Sequence, residues 1–136
     1  MIEQGYLQRN IARSVRVRTI INKKTQEGWL TVKGPSDHKG ISRYEFETKI
    51  SFGDAVNLLK LCDFPLIKKT RYHYNYKGFL WEIDEFHKEN DGLLIAEIEL
   101  TDANQTFPLP DFIDQEVTGE EKYYNSMLIK NPFKSW

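Results

Sequence analysis

Alternating apolar and polar positions run through most of the chain, and this period of two predicts β-strands. In residues 13–21, RSVRVRTII, valines alternate with arginines, and six further segments show similar strand character. The seven predicted strands cover 2–8, 13–21, 29–33, 43–50, 66–76 and the two arms of 81–100. Gly34, Pro35 and Ser36 are expected to end the third strand. Because short connections join successive strands, antiparallel pairing is favoured.

Two segments have a helical period instead. Between residues 51 and 62, Ala55, Leu59 and Cys62 recur at spacings of four and three, which predicts an amphipathic helix. Residues 119–130 also have helical character. Seven strands and two helices in a chain of 136 residues predict a single α+β domain, with the helices packed outside an antiparallel sheet.

Charged side chains occupy one face of most predicted strands, because a spacing of two keeps side chains on the same side. The bases on these faces are Arg16, Arg18, Lys33, Arg43, Lys69 and Arg71. The acids are Glu45, Glu47, Glu82, Asp84, Glu97 and Glu99. A flat sheet would turn these charges toward water, whereas a curled sheet would enclose them around a ligand. Clustered bases bind phosphates, and acids bind the metal that accompanies them.

The hairpin 81–100 concentrates negative charge. Glu82 and Asp84 share one arm, and Glu97 and Glu99 share the other, so pairing of the arms would place four carboxylates on one surface. Like charges at such a short separation repel one another. Basic side chains or a divalent metal with oxygen ligands would balance them. The alternative is a pair of ordinary amphipathic strands whose acids face water.

Net charge limits the classes of binding partner, and cysteine content bears on the cellular compartment. Lys and Arg total 19 against 20 Asp and Glu, and the net charge of −1 provides no overall attraction to nucleic acid or a membrane surface. The single cysteine, Cys62, excludes an internal disulfide and fits a reducing compartment such as the cytoplasm. We expect neither a signal peptide nor a membrane-spanning segment. His38, His73 and His87 show no metal-ligand spacing.

A series of short motifs extends from residue 2 to about residue 128. In chain order they are IEQGYL, VRVR, LTVKG, RYEFE, IKKTRY, WEIDEF, GLLIAEIEL and EVTGEEKYYN. This ordered set resembles the CYTH family, the triphosphate tunnel metalloenzymes. The resemblance implies an eight-stranded antiparallel tunnel that binds a triphosphate and a divalent cation, Mg²⁺ or Mn²⁺. Activities in the family include inorganic triphosphatase, thiamine triphosphatase and adenylate cyclase.

Matched motif by motif, the resemblance implies a role for each charged position. The phosphate-binding residues would be Arg16, Arg18, Lys33, Arg43, Lys69 and Arg71. Asp84, Glu97 and Glu99 would lie nearest the metal and act in catalysis. Glu45, Glu47 and Glu82 would support the metal sites.

One family motif is not found in this sequence. The family opens with a strand carrying Glu-x-Glu-x-Lys, whereas this sequence starts at the next motif, IEQGYL. Residues 45–49 spell the same pattern but belong to the strand 43–50. We therefore expect about seven strands, with strand 2–8 beside the gap. The strand could be truncated, absent or supplied by another chain, and exposed strand edges could support a homodimer.

The leading functional hypothesis is metal-dependent hydrolysis of a small triphosphate, with inorganic tripolyphosphate first. Whether the chain is an active enzyme then depends on the missing motif being supplied or dispensable. The alternatives are a domain that binds triphosphate or polyphosphate without turnover, a thiamine triphosphatase or adenylate cyclase, and a charged sheet with no ligand.

Overall fold

The fold is described here from a computed structural model, which covers residues 1–10, 12–36, 43–102 and 104–136. The seven strands are β1 (Ile2–Asn10), β2 (Arg13–Ile21), β3 (Gln26–Ser36), β4 (Arg43–Ile50), β5 (Ile67–Tyr76), β6 (Phe79–Phe86) and β7 (Leu94–Ile98). The helices are α1 (Phe52–Leu59) and α2 (Asn125–Lys130), with single 3₁₀ turns at Lys88–Asn90, Glu121–Tyr123 and Phe133–Ser135. His38 lies outside the described residues.

All seven strands form one antiparallel sheet in the order β4-β3-β2-β1-β5-β6-β7. The predicted α+β class and the antiparallel pairing are confirmed. The sheet does not close, because within the described residues β4 pairs only with β3 and β7 pairs only with β6.

Two local expectations were wrong. The strand expected beside the gap is β1, yet it is the central strand, paired with β2 along its length and with β5 at Ile2–Gln4. The expected break at Gly34 and Pro35 is instead a register shift within β3, between Lys33 and Ser36. Both differences arise from pairing with a neighbouring strand, which the local pattern does not specify.

The outer face of the sheet, the face that carries Val17, packs against α1. Val17, Ala55, Leu59 and Cys62 form a buried apolar cluster. The helix begins after Ser51, whose hydroxyl oxygen accepts a hydrogen bond from the Asp54 backbone N–H at 3.0 Å. This helix therefore packs outside the sheet, as predicted.

The opposite face, here called the cavity face, carries Arg16 and Arg18 and is covered at one end by α2. Leu128 and Ile129 of α2 pack into a second apolar cluster with residues from β1, β5 and β6. Those sheet residues are Tyr6, Ile67 and Phe86, with Leu93 just before β7. The expectation that helices lie outside the sheet thus holds for α1 but not for α2.

No helix within the described ranges combines the length and apolar character needed to cross a bilayer.

Candidate functional site

A cavity of about 660 Å³ lies on the cavity face, and all six predicted phosphate-binding bases line it. Among the described residues, its basic lining residues are Arg9, Arg16, Arg18, Lys33, Arg43, Lys69 and Arg71, and its only acidic one is Glu97. The uncharged lining residues are Tyr6, Ser14, Thr31, Tyr123, Tyr124, Asn125 and Ser126. The predicted bases therefore line a common cavity, as in the curled arrangement, although the sheet stays open and the acids of β4 are exposed.

The two arginines of β2 are incompletely satisfied by the protein. Arg16 and Arg18 each place a terminal nitrogen 3.8 Å from the Glu47 carboxylate, a loose ion pair. Glu47 also accepts a 2.8 Å hydrogen bond from the Thr31 hydroxyl. The Nε–H groups of both arginines are buried and have no hydrogen-bond partner among the described residues. Unsatisfied buried donors are costly, so this pair is suited to an anionic ligand.

Arg18 and Lys33 carry their charge in an unfavourable setting. Burial, together with the neighbouring charge of Arg16, lowers the pKa of Arg18. Burial also lowers the pKa of Lys33, although the nearby Glu45 opposes the shift. An anion bound in the cavity would relieve the repulsion among these cations.

Asp84 holds two further bases in place. The Arg71 guanidinium donates two hydrogen bonds to the Asp84 carboxylate, at 2.7 and 2.9 Å, and the Lys69 ammonium lies 2.9 Å from the same group. Arg71 also reaches Glu82 at 2.7 Å. These contacts explain how a buried acid and a buried lysine coexist on neighbouring strands.

The pKa shifts in this cluster are asymmetric. Burial alone would raise the pKa of the Asp84 carboxyl, but hydrogen bonds from Arg71 and Lys69 hold it below its usual range. Burial lowers the pKa of Lys69 to about 8, against the attraction of Asp84. The Asp84 carboxylate is contacted by two cations and therefore stays charged. Lys69 loses its proton at a lower pH than an ordinary lysine, because burial disfavours its charged form.

The predicted metal residues are not gathered into one group. No three His, Cys, Asp or Glu side chains in the described part of the chain are placed to share a metal ion. Both Asp84 oxygens accept hydrogen bonds from bases, and Glu99 follows the end of β7 and is exposed. Glu97 lines the cavity and is the cross-strand partner of Glu82. Glu45 and Glu47 lie on β4, at the other edge of the sheet.

Two carboxylates are still enough for a metal ion that binds together with a phosphate ligand. Mg²⁺ in phosphate sites is usually held by one or two carboxylates together with the phosphates themselves. Glu97 lines the cavity, and its cross-strand partner Glu82 keeps one carboxylate oxygen beside the one that pairs with Arg71, whereas a site built from protein groups alone would need more carboxylates. The described residues therefore fit metal bound jointly with phosphate better than metal bound alone.

Sequence reasoning missed the residues that approach the cavity from outside the alternating pattern. The 3₁₀ turn and α2 bring Tyr123, Tyr124 and Asn125 over the cavity face. The Asn125 side-chain oxygen accepts hydrogen bonds from Gln4 and Lys69, each at 3.0 Å. The only sequence signal was the end of the EEKYYN motif. Arg9, which lies outside the charged-face pattern, was also missed.

Comparisons with known proteins agree with one another. A model of the CYTH domain matches residues 3–127. An inorganic triphosphatase from Acetivibrio thermocellus is 50% identical over 137 residues, which cover 100% of this chain and 84% of the relative. An inorganic triphosphatase from Nitrosomonas europaea is 30% identical over 130 residues, covering 93% of this chain and 82% of the relative.

Solved structures show the same fold. A crystal structure of an inorganic triphosphatase matches 94% of this chain and 83% of its own, at a TM-score of 0.65 and 27% identity. A Pyrococcus horikoshii protein matches 74% of this chain and 62% of its own, at a TM-score of 0.52 and 22% identity, which bears on the fold alone.

Proposed function

Because the chain belongs to the CYTH domain family, we propose that it hydrolyses a small inorganic triphosphate, with tripolyphosphate as the first candidate. The observation that carries this proposal is the cavity, where seven basic side chains and one acidic side chain line the wall in the described part of the chain. Relatives at 50% and 30% identity that are named inorganic triphosphatases support the same substrate class.

In this proposal the bases act in two groups. Arg16 and Arg18 donate their unsatisfied N–H groups to phosphate oxygens and neutralise their charge. Lys69 and Arg71 are held in a fixed orientation by Asp84 before substrate arrives, which lowers the entropic cost of ordering them. Water then adds across one P–O–P bond, releasing phosphate and pyrophosphate.

We also propose Mg²⁺ or Mn²⁺ as the metal, held by Glu97 and Glu82 together with the phosphate chain. The metal would supply positive charge that stabilises the phosphoryl group during hydrolysis. Asp84 contributes through Lys69 and Arg71, and its direct contact with a metal, like that of Glu99, stays a prediction.

The first test compares two arginines of β2. Arg16 lines the cavity, whereas Arg13 is exposed and does not line it. Each charge-assisted hydrogen bond is worth about 1.5–3 kcal/mol, so Arg16→Ala should weaken tripolyphosphate binding roughly ten- to hundred-fold. Arg13→Ala should bind as the unmodified chain does. Titration calorimetry measures both affinities, and equal affinities for the two variants would contradict the proposal.

The same preparations separate hydrolysis from binding without turnover. The absence of three converging acids among the described residues favours this second candidate function. Phosphate release from tripolyphosphate should require Mg²⁺ or Mn²⁺, and Glu97→Gln should reduce it at least ten-fold. Tight binding of tripolyphosphate with no phosphate release in either metal would instead establish a binding domain.

A further inference from the structure

A β-bulge in β1 turns a seventh base toward the cavity. Tyr6 pairs with Arg16 of β2, but the next pair joins Gln8 to Val15, so Leu7 is the extra residue. Uninterrupted alternation from Tyr6 would place Gln8 on the cavity face. The bulge reverses this order, and Arg9 lines the cavity instead.

The loop between α1 and β5 supports both the bulge and the arginine. The Asp63 backbone N–H donates to the Tyr6 carbonyl oxygen at 3.2 Å, and the Asp63 carboxylate accepts a hydrogen bond from Arg9 Nε at 2.9 Å. The ion pair is exposed to solvent, so it orients Arg9 more than it neutralises it. Within the described residues, the terminal nitrogens of Arg9 donate to no protein group, and they remain available to a ligand.

Arg9 also extends a row of polar groups across three strands. It pairs with Ser14 of β2, and Ser14 pairs with Lys33 of β3. Neighbouring strands lie about 4.8 Å apart, so the backbone positions of Arg9 and Lys33 are roughly 10 Å apart, with Ser14 between them. All three line the cavity. The Arg9 side chain is 36% exposed, against 19% for Arg16 and 13% for Arg18, which places it at the rim.

We propose that Arg9 is a seventh phosphate-binding residue, which holds the end of the bound triphosphate nearest the cavity rim. This inference rests on the proposed function of the cavity. The planar guanidinium can donate two parallel hydrogen bonds to a phosphate, a geometry that a lysine cannot reproduce. Arg9 therefore sets how firmly the outer phosphate is held.

The decisive experiment moves the base by one position. Gln8 is exposed and faces away from the cavity, so the double variant Gln8→Arg/Arg9→Gln keeps composition and net charge but turns the guanidinium outward. Its tripolyphosphate affinity, measured by titration calorimetry, should fall about ten-fold, as in Arg9→Ala. Arg9→Lys should recover only part of the loss, and Arg13→Ala should lose nothing.

Three outcomes are informative. If the double variant binds as tightly as the unmodified chain, only overall charge matters and the placement of Arg9 does not. If Arg16→Ala weakens binding but Arg9→Ala does not, the rim site is wrong and the proposed function stands. If neither Arg16→Ala nor Arg9→Ala changes the affinity, both the rim site and the proposed function are wrong.

Discussion

At the scale of the residue, the cavity depends on how cations are held at close range. Lys69 and Asp84 each expose only 3% of their side chains, and Asp84 also accepts two hydrogen bonds from Arg71. Breaking a buried pair leaves an uncompensated charge, so each member of this cluster depends on the others. Lys69 is the member that loses its charge most readily, because burial lowers its pKa by more than the ion pair with Asp84 raises it.

Lys69 should make stability rise with pH in the alkaline range. Its pKa is about 8 in the folded chain, against 10.5 for an unperturbed lysine. Between these values the unfolded state binds more protons, so the free energy of unfolding rises with pH, by roughly 3 kcal/mol in total. In Lys69→Met this contribution is absent, while the other titrating groups remain.

Urea denaturation at pH 7.5 and pH 10 measures this contribution as the difference between the two proteins. The unmodified chain should gain stability relative to Lys69→Met at the higher pH. Parallel pH profiles for the two proteins would show that Lys69 keeps an ordinary pKa.

At the scale of the element, α2 is stabilised by what it covers and not by its own length. It has only 6 residues, too few for a stable isolated helix. Leu128 and Ile129 bury it against the cavity face, and Asn125 adds hydrogen bonds to Gln4 and Lys69. Packing and polar contacts together place the helix over one end of the site.

Leu128→Ala should therefore destabilise the whole chain. Leu128 is completely buried, and removing such a side chain typically costs 2–5 kcal/mol through lost burial and the resulting cavity. Leu109 is 59% exposed, so Leu109→Ala is the matched control and should change stability by less than about 0.5 kcal/mol. Guanidinium denaturation measures both, and equal losses would mean that α2 does not contribute to the core as described.

At the scale of the whole molecule, near-zero net charge conceals a strong separation of charge. The chain carries a net charge of −1, yet seven basic residues and one acidic residue line the cavity within the described ranges. The open sheet leaves β4 and β7 as edges within the described residues. Edge strands with unpaired backbone groups can pair with another chain, so a homodimer through these edges stays a prediction.

We expect the β4 edge to carry this association, because Tyr44 and Phe46 project exposed rings from it. Phe46→Lys should reduce dimer formation in sedimentation velocity experiments, since charge on an edge strand disfavours pairing. Ile21→Lys is the control, because Ile21 is also an exposed apolar residue but lies on β2, where it pairs with Gln26 of β3 and is hydrogen-bonded to Met1 on the other side. An unmodified chain that is monomeric at high concentration would contradict the expectation.

The sequence alone was sufficient for features that repeat within one element. Alternation placed Arg16 and Arg18 on one face of β2 and Val17 on the other, and the helical spacing of Ala55, Leu59 and Cys62 identified α1. These predictions succeeded because side-chain direction within a strand or helix follows from local backbone geometry. Of the seven basic residues seen to line the cavity among the described residues, six could be identified in this way.

Only the tertiary structure decided how these elements meet. In the folded chain β1 lies at the centre of the sheet, and the bulge at Leu7 turns Arg9 toward the cavity. Asn125 contacts Gln4, from which it is separated by 121 residues of sequence. Asp84 likewise contacts Lys69 and Arg71. Such contacts depend on which distant segments pair and how much surface each pairing buries, and a local pattern of polar and apolar positions does not contain that information.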